Sequence, residues 1–200
     1  MPKPIRLVTI DGHSAMDDTA DAAKVILVNG AGTTAGTTEV RLAKAIAAAG
    51  AYAANDVVND TACTTTATPW LFLLMASSGG YGVIKSATIF SESENIAPRL
   101  TLFLFNATPT GSLADNVANT NPIKANRTKY VGKIEFPALK NRSASCASEA
   151  SVTPSTVGGL PIWYKCATGA TTLYGVLVTE DIFTQTATDD IEITLQIEHL

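Results

Sequence analysis

Short runs of alternating apolar and polar residues, separated by turn-forming residues, fill the chain from Trp70 to its C-terminus. The clearest run is Ile191–Glu198, in which four aliphatic residues alternate with polar ones. Successive side chains of a strand point to opposite faces, so this alternation predicts a strand with one buried and one solvated face. The same pattern predicts strands over Tyr81–Phe90 and Thr128–Phe136.

Other runs are apolar on both faces. In Arg99–Asn106 the leucines fall on one face and Thr and Phe on the other, which predicts a central strand that is covered on both sides. Leu71–Met75 has the same character and is predicted to be a buried strand. Further strands are predicted over Leu160–Cys166 and Leu173–Thr179.

The first fifty residues are rich in Gly, Ala and Thr and are patterned more weakly. Within them, Glu39–Ala49 contains alanines that favour helix. Val40 and Leu42 nevertheless alternate with Glu39 and Arg41, and we predict a strand. We predict two parts: an N-terminal arm or hairpin over residues 1–48, and a β-sandwich body over residues 49–200.

Two segments rich in Asn, Thr, Ser, Pro and Gly predict long loops, Ala107–Lys124 and Asn141–Gly159. Long loops in compact domains are usually functional or form interfaces. Short strands, turn-rich connections and the lack of a sustained helical period together predict an all-β fold. The fold class is an antiparallel β-sandwich or jelly roll with an extended N-terminal arm or hairpin.

Charge is sparse, at 16% of residues, and unevenly distributed. The net charge of −4 argues against a general nucleic-acid binder. A basic cluster surrounds a single acid, Glu135, and is a candidate interface for an acidic surface or a neighbouring copy. Solvated strand faces are the alternative explanation. The basic cluster consists of Lys124, Arg127, Lys129, Lys133, Lys140 and Arg142. The C-terminal acids are Glu180, Asp181, Asp189, Asp190, Glu192 and Glu198.

Residues that carry chemistry are few and scattered. The two histidines, His13 and His199, lie far apart in the sequence and belong to no motif of a nucleophile, base and acid. The three cysteines have no metal-ligand spacing and are predicted to be free thiols. We therefore predict no enzymatic activity, no catalytic or metal-binding residue and no cofactor.

Neither secretion nor membrane insertion is expected. The N-terminal sequence Met-Pro-Lys-Pro lacks the apolar stretch of a signal peptide. The longest apolar run, Trp70–Ala76, is far too short to span a bilayer.

Four segments resemble, in the same order, segments of virion proteins of tailed bacteriophages. They are Ala51–Val58, the Arg-Leu-x-Leu-x-Leu-Phe strand Arg99–Phe105, the Tyr-Val-Gly-x-Ile-x-Phe-Pro strand Tyr130–Pro137, and the Leu-Tyr-Gly-Val-Leu strand Leu173–Leu177. The resemblance covers residues 50–200 and rests on structural motifs, so it transfers no site residue.

The resemblance implies a non-enzymatic virion structural protein, with a capsid decoration (cement) protein as the best match. Such a protein is made in the cytoplasm of the bacterial host and is located on the capsid surface. It would bind the lattice of the major capsid protein and other copies of itself, commonly as a homotrimer, with no direct contact with nucleic acid or a membrane.

Three alternatives stay open. One is a tail, neck or fibre component, and another is a glycan-binding β-sandwich module that uses the two long loops. Neither loop contains an aromatic residue, which weighs against sugar binding. The most distant is a nucleotide-binding enzyme that uses the glycine-rich loop Gly30–Gly36, whose spacing departs from the dinucleotide-binding fingerprint.

Overall fold

The fold is taken from a computed structural model. The structure describes residues 36–46, 50–60, 68–74, 78–141, 143, 146–154, 159–186 and 189–200. The predicted arm over residues 1–48 lies largely outside these residues, as do His13, Cys63, Arg142 and all of the Gly30–Gly36 loop except its last residue. The arm therefore stays a prediction.

Nearly all regular structure in this part of the chain is β-strand. The strands are β1 (Thr37–Ala45), β2 (Ala51–Tyr52), β3 (Val57–Val58), β4 (Trp70–Leu73), β5 (Tyr81–Glu94), β6 (Leu100–Phe105), β7 (Tyr130–Phe136), β8 (Lys140–Asn141), β9 (Ala147–Val152), β10 (Ile162–Lys165), β11 (Thr172–Thr179), β12 (Phe183–Thr184) and β13 (Asp190–His199). A short 3-10 helix spans Lys124–Asn126.

The six-stranded sheet, called the large sheet below, has the order β1-β13-β5-β9-β8, with β10 also paired to β5. All of its pairs are antiparallel. In β13, Ile191, Ile193, Leu195 and Ile197 are buried and the residues between them are half-buried. The alternation along this strand thus turns its aliphatic side towards the core, as predicted.

The five-stranded sheet, called the small sheet, has the order β3-β11-β6-β7. Strand β4 pairs with the first half of β11, on the same edge that β3 occupies further along. The inward side chains of β6, namely Leu100, Leu102 and Leu104, are fully buried. A third, two-stranded sheet pairs β12 with β2, where the rings of Tyr52 and Phe183 stack 4.8 Å apart.

A single hydrophobic core between the large and small sheets joins them as an antiparallel β-sandwich. Trp70 is fully buried there, and its indole N–H donates to the carbonyl of Val58 at 3.1 Å. Gly175 leaves room for side chains of the neighbouring strands, because a Cβ atom at this position would lie 2.9 Å from the Leu102 side chain on β6. The predicted all-β antiparallel sandwich is confirmed.

Most strand predictions are confirmed. The alanine-rich Glu39–Ala49 overlaps β1, which begins at Thr37, ends at Ala45 and pairs with β13 over its whole length. Tertiary pairing therefore overrides alanine's helix preference. This strand lies within the segment that we assigned to the N-terminal arm. The predicted loop Asn141–Gly159 is wrong in part, since β9 occupies its centre and pairs with β5. Its small side chains, such as Ser148 and Ala150, are buried.

Candidate interaction surfaces

An apolar row crosses the outer face of the small sheet. Cross-strand register places Leu71 beside Tyr174, Tyr174 beside Phe105, and Phe105 beside Tyr130, so four strands contribute one residue each. The rings of Phe105 and Tyr130 are 5.6 Å apart and tilted. Sheet faces of this kind need a cover or a partner, because apolar area in contact with water is unfavourable.

The loop over residues 107–123, called the covering loop, shields part of this face. It leaves β6, reaches the far edge at β3 and returns to β7, and therefore crosses the sheet. Leu113 packs on a small outer cluster made by Val57, Phe105, Val176 and Val178. Covered on both sides, β6 is the buried central strand that its sequence predicts.

Asparagine side chains hold the covering loop in shape. Fully buried Asn126 accepts hydrogen bonds from the backbone N–H and the hydroxyl of Thr110, at 3.1 and 3.0 Å, and donates to the Asn121 side chain at 3.0 Å. Asn121 donates in turn to the Ser112 carbonyl at 2.8 Å. A Cβ atom on Gly111 would lie 2.2 Å from the Asn121 amide, so this position requires glycine.

Asp115 anchors the far end of the covering loop beside β3. Its carboxylate accepts hydrogen bonds from the Tyr52 hydroxyl at 2.9 Å and from the Asn59 backbone N–H at 2.8 Å. Burial raises the pKa of Asp115, and burial together with this carboxylate raises the pKa of Tyr52. The backbone of residues 116–119 also pairs with residues 55–57. This loop is therefore part of the folded body.

The β4 edge of the same face stays open. Leu71 is 45% exposed and Leu73 is 66% exposed, and both point outwards from β4. Single exposed leucines are ordinary, but two on one edge strand beside Tyr174 extend the apolar row to the rim of the sandwich.

The outer face of the large sheet is polar and acidic. It carries a shallow groove of about 480 Å³, the Phe90 groove, lined by Glu39, Arg41, Ala43, Thr88, Phe90, Glu92, Asp190, Glu192, Thr194 and Gln196. Arg41 contacts Glu39 at 2.5 Å and Glu192 at 3.3 Å, and its hydrogen bond lowers the pKa of Glu39. Phe90, at 42% exposed, lies among these charges.

The predicted basic cluster is divided between different parts of the fold. Lys124 and Arg127 are exposed at the 3-10 helix, and the Lys129 ammonium donates to the Thr108 carbonyl at 2.9 Å. Lys133 lies on β7 of the small sheet and pairs with Glu135, whereas Lys140 lies on β8 of the large sheet. Only the first three residues share one local segment, so the interface stays a prediction.

The C-terminal acids are divided in the same way. Asp181 binds Arg99 at 2.7 Å, and this contact lowers the pKa of Asp181 to about 2. Glu180 accepts a hydrogen bond from Thr101 on the small sheet at 2.7 Å. Asp190, Glu192 and Glu198 belong to the large sheet instead.

Two exposed aromatic residues lie at the end of the large sheet. The sequence predicts strands here but no candidate site. Trp163 on β10 is 69% exposed, and Tyr81 on β5 is its diagonal neighbour across the pair. Trp163 alternates with buried Ile162 and Tyr164, and this alternation is the signal in the sequence for an outward side chain. Its position beside Tyr81 follows only from the strand register.

Groups that carry chemistry in enzymes are dispersed among the described residues. The His199 ring lies 2.8 Å from the Thr38 hydroxyl. Cys146 and Cys166 are free thiols, the first exposed and the second buried. Burial raises the pKa of the Cys166 thiol. The described part of the chain holds no group of three or more His, Cys, Asp or Glu residues able to bind a metal ion.

Neither a protein-family model nor a curated protein sequence matches this chain. None of the helices in the described segments is both long and apolar enough to cross a membrane. The described residues form a sandwich with two contrasting outer faces, one apolar and partly covered, the other charged and open.

Proposed function

We propose that this chain is a non-enzymatic structural protein of a tailed-bacteriophage virion, a capsid decoration protein that binds the lattice of the major capsid protein. The observation that carries the proposal is the open end of the apolar row, where Leu71 and Leu73 are exposed on strand β4. Interfaces place apolar and aromatic side chains at their centre, and strands hold such side chains with little loss of conformational entropy on binding.

The sequence resemblance supports the same function. Three of the four phage-like segments correspond to β6, β7 and β11, the strands that carry most of the apolar row. These motifs thus build the core and most of the apolar row, while the exposed leucines of β4 lie outside the resembling segments.

Binding to shells that lack this chain tests the proposal. Purified native chain should co-sediment with such shells to a saturating stoichiometry, and a Leu71→Glu/Leu73→Glu variant should lose binding by roughly 100-fold, since two charges would enter an apolar contact. Ile182→Glu is the matched control, because Ile182 is 74% exposed away from this row. Native chain that fails to bind, or equal binding by all three proteins, would contradict the proposal.

A glycan-binding module is the second candidate, and the exposed pair of Trp163 and Tyr81 favours it. Sugar rings stack on aromatic faces, and this pair supplies a platform that the two predicted loops lack. A glycan that binds here should shift the emission of exposed Trp163, while buried Trp70 provides an unchanged background. A glycan array without any hit would dismiss this candidate.

A further inference from the structure

We propose that the Phe90 groove of one copy binds the basic turn of a second copy, residues 124–129. The inference concerns contact between copies and extends the proposed function. It is tested in solution without shells, so its failure and the failure of shell binding are distinguishable.

The groove has the chemistry of a site for a basic side chain. Four carboxylates and one guanidinium line it, which leaves a net charge of −3. Phe90 presents an exposed ring between Glu192 on β13 and Glu149 on β9, its cross-strand neighbours. A cation above an aromatic ring is attracted by the negative face of the ring, and the flanking carboxylates add hydrogen-bond acceptors.

The basic turn has the complementary chemistry. Lys124 and Arg127 lie three residues apart around the 3-10 helix, and this spacing places them on the same side of it. Within the described residues, neither side chain has an ion pair or a side-chain hydrogen bond. Arg41, Lys44, Lys85, Arg99 and Lys133, by contrast, are all bound to acids. The turn thus presents two unpaired cations.

The relative position of groove and turn defines the kind of assembly. The groove lies on the outer face of the large sheet, whereas the turn leads into β7 at the edge of the small sheet. The two surfaces of one copy are different patches, so the contact is heterologous. Such contacts produce closed rings or open chains of copies.

Sedimentation velocity of the full chain over a range of concentrations tests this contact. The native chain should associate at low salt and dissociate at high salt, because the contact is between exposed charges. Arg127→Glu should weaken association by roughly tenfold or more, and Phe90→Ala and Glu192→Lys should also weaken it. Lys165→Glu reverses another exposed, unpaired cation on β10 and should associate like the native chain.

Mixing two defective variants gives the sharpest result. Arg127→Glu keeps an intact groove, and Glu192→Lys keeps an intact turn. Each should fail alone, whereas their equimolar mixture should recover association, since each supplies the half that the other lacks. A native chain that stays monomeric at every concentration and low salt would overturn the inference. Equal loss of association in Lys165→Glu and Arg127→Glu would overturn it as well.

Discussion

The two outer faces of the sandwich meet solvent in different ways. The small sheet turns Phe105, Val176 and Val178 outwards and covers them with its own loop, whose buried asparagines hold it in place. The large sheet turns Glu39, Glu192 and their neighbours outwards and needs no cover. An apolar outer face therefore becomes a second core, and a charged one remains a surface that is open to partners.

Replacing one phenylalanine on each outer face should give the largest difference in stability between the two faces. Phe105→Ala should lower the free energy of unfolding by about 3–5 kcal/mol, because it removes a fully buried ring. Phe90→Ala should lower it by about 1 kcal/mol or less, because Phe90 is 42% exposed. Urea unfolding in dilute solution at high salt measures both. Equal losses in the two variants would show that the covering loop contributes no second core.

The asparagine network of the covering loop provides the next test. Asn126→Ala should cost about 2 kcal/mol, because it leaves the side-chain oxygen of buried Asn121 and the donors of Thr110 without their partner. Gln196→Ala removes a hydrogen-bonded amide from the open face, where it donates to Glu39 at 2.6 Å, and should cost about 0.5 kcal/mol or less. Thermal unfolding of both variants gives the comparison. A mild effect in Asn126→Ala would mean that water replaces the network at little cost.

Acid titration examines an ion pair at the end of the small sheet. Arg99 lowers the pKa of Asp181 from 3.8 to about 2, so the charged form is favoured by folding. This contribution is fully present above pH 3.8 and is lost as the pH falls through about 2. Solvent screening should keep it below about 1 kcal/mol. The difference in unfolding free energy between the native chain and Asp181→Asn should therefore shrink as the pH falls from 3.8 to about 2. A difference that stays constant over this range would show that the ion pair does not cause it.

The smallest effect is expected for Arg41→Ala on the open face. Its ion pairs with Glu39 and Glu192 are exposed, and solvent screening leaves such pairs with little effect on stability. Chemical unfolding should barely distinguish this variant from the native chain. A loss as large as that of Asn126→Ala would show that the charged face is itself a structural network.

The sequence predicts the strands of the two sheets better than it predicts the surfaces that they form. Alternation in β13 and the two-sided apolar run of β6 are local signals, and the structure agrees with both. Strand β9 escaped prediction because its small residues look like a loop until β5 packs beside them. The apolar row could not be foreseen, since Leu71, Tyr174 and Phe105 become neighbours only through register.

The basic cluster shows that residues close together in the sequence can be separated by the fold. Lys133 and Lys140 are near neighbours in sequence, yet the chain passes from the small sheet to the large sheet between them. Proximity in sequence predicted one interface, whereas Lys124 and Arg127 at the turn form a compact pair of cations without an ion pair among the described residues.

The main proposal is that this chain decorates the capsid lattice of a virion, and its copy number in purified particles tests that most directly. Quantitative mass spectrometry would compare the amount of this chain with that of the major shell protein in particles of the proposed phage. Decoration of the whole lattice predicts a ratio near one or a simple fraction of it. A handful of copies per particle, or none, would contradict it.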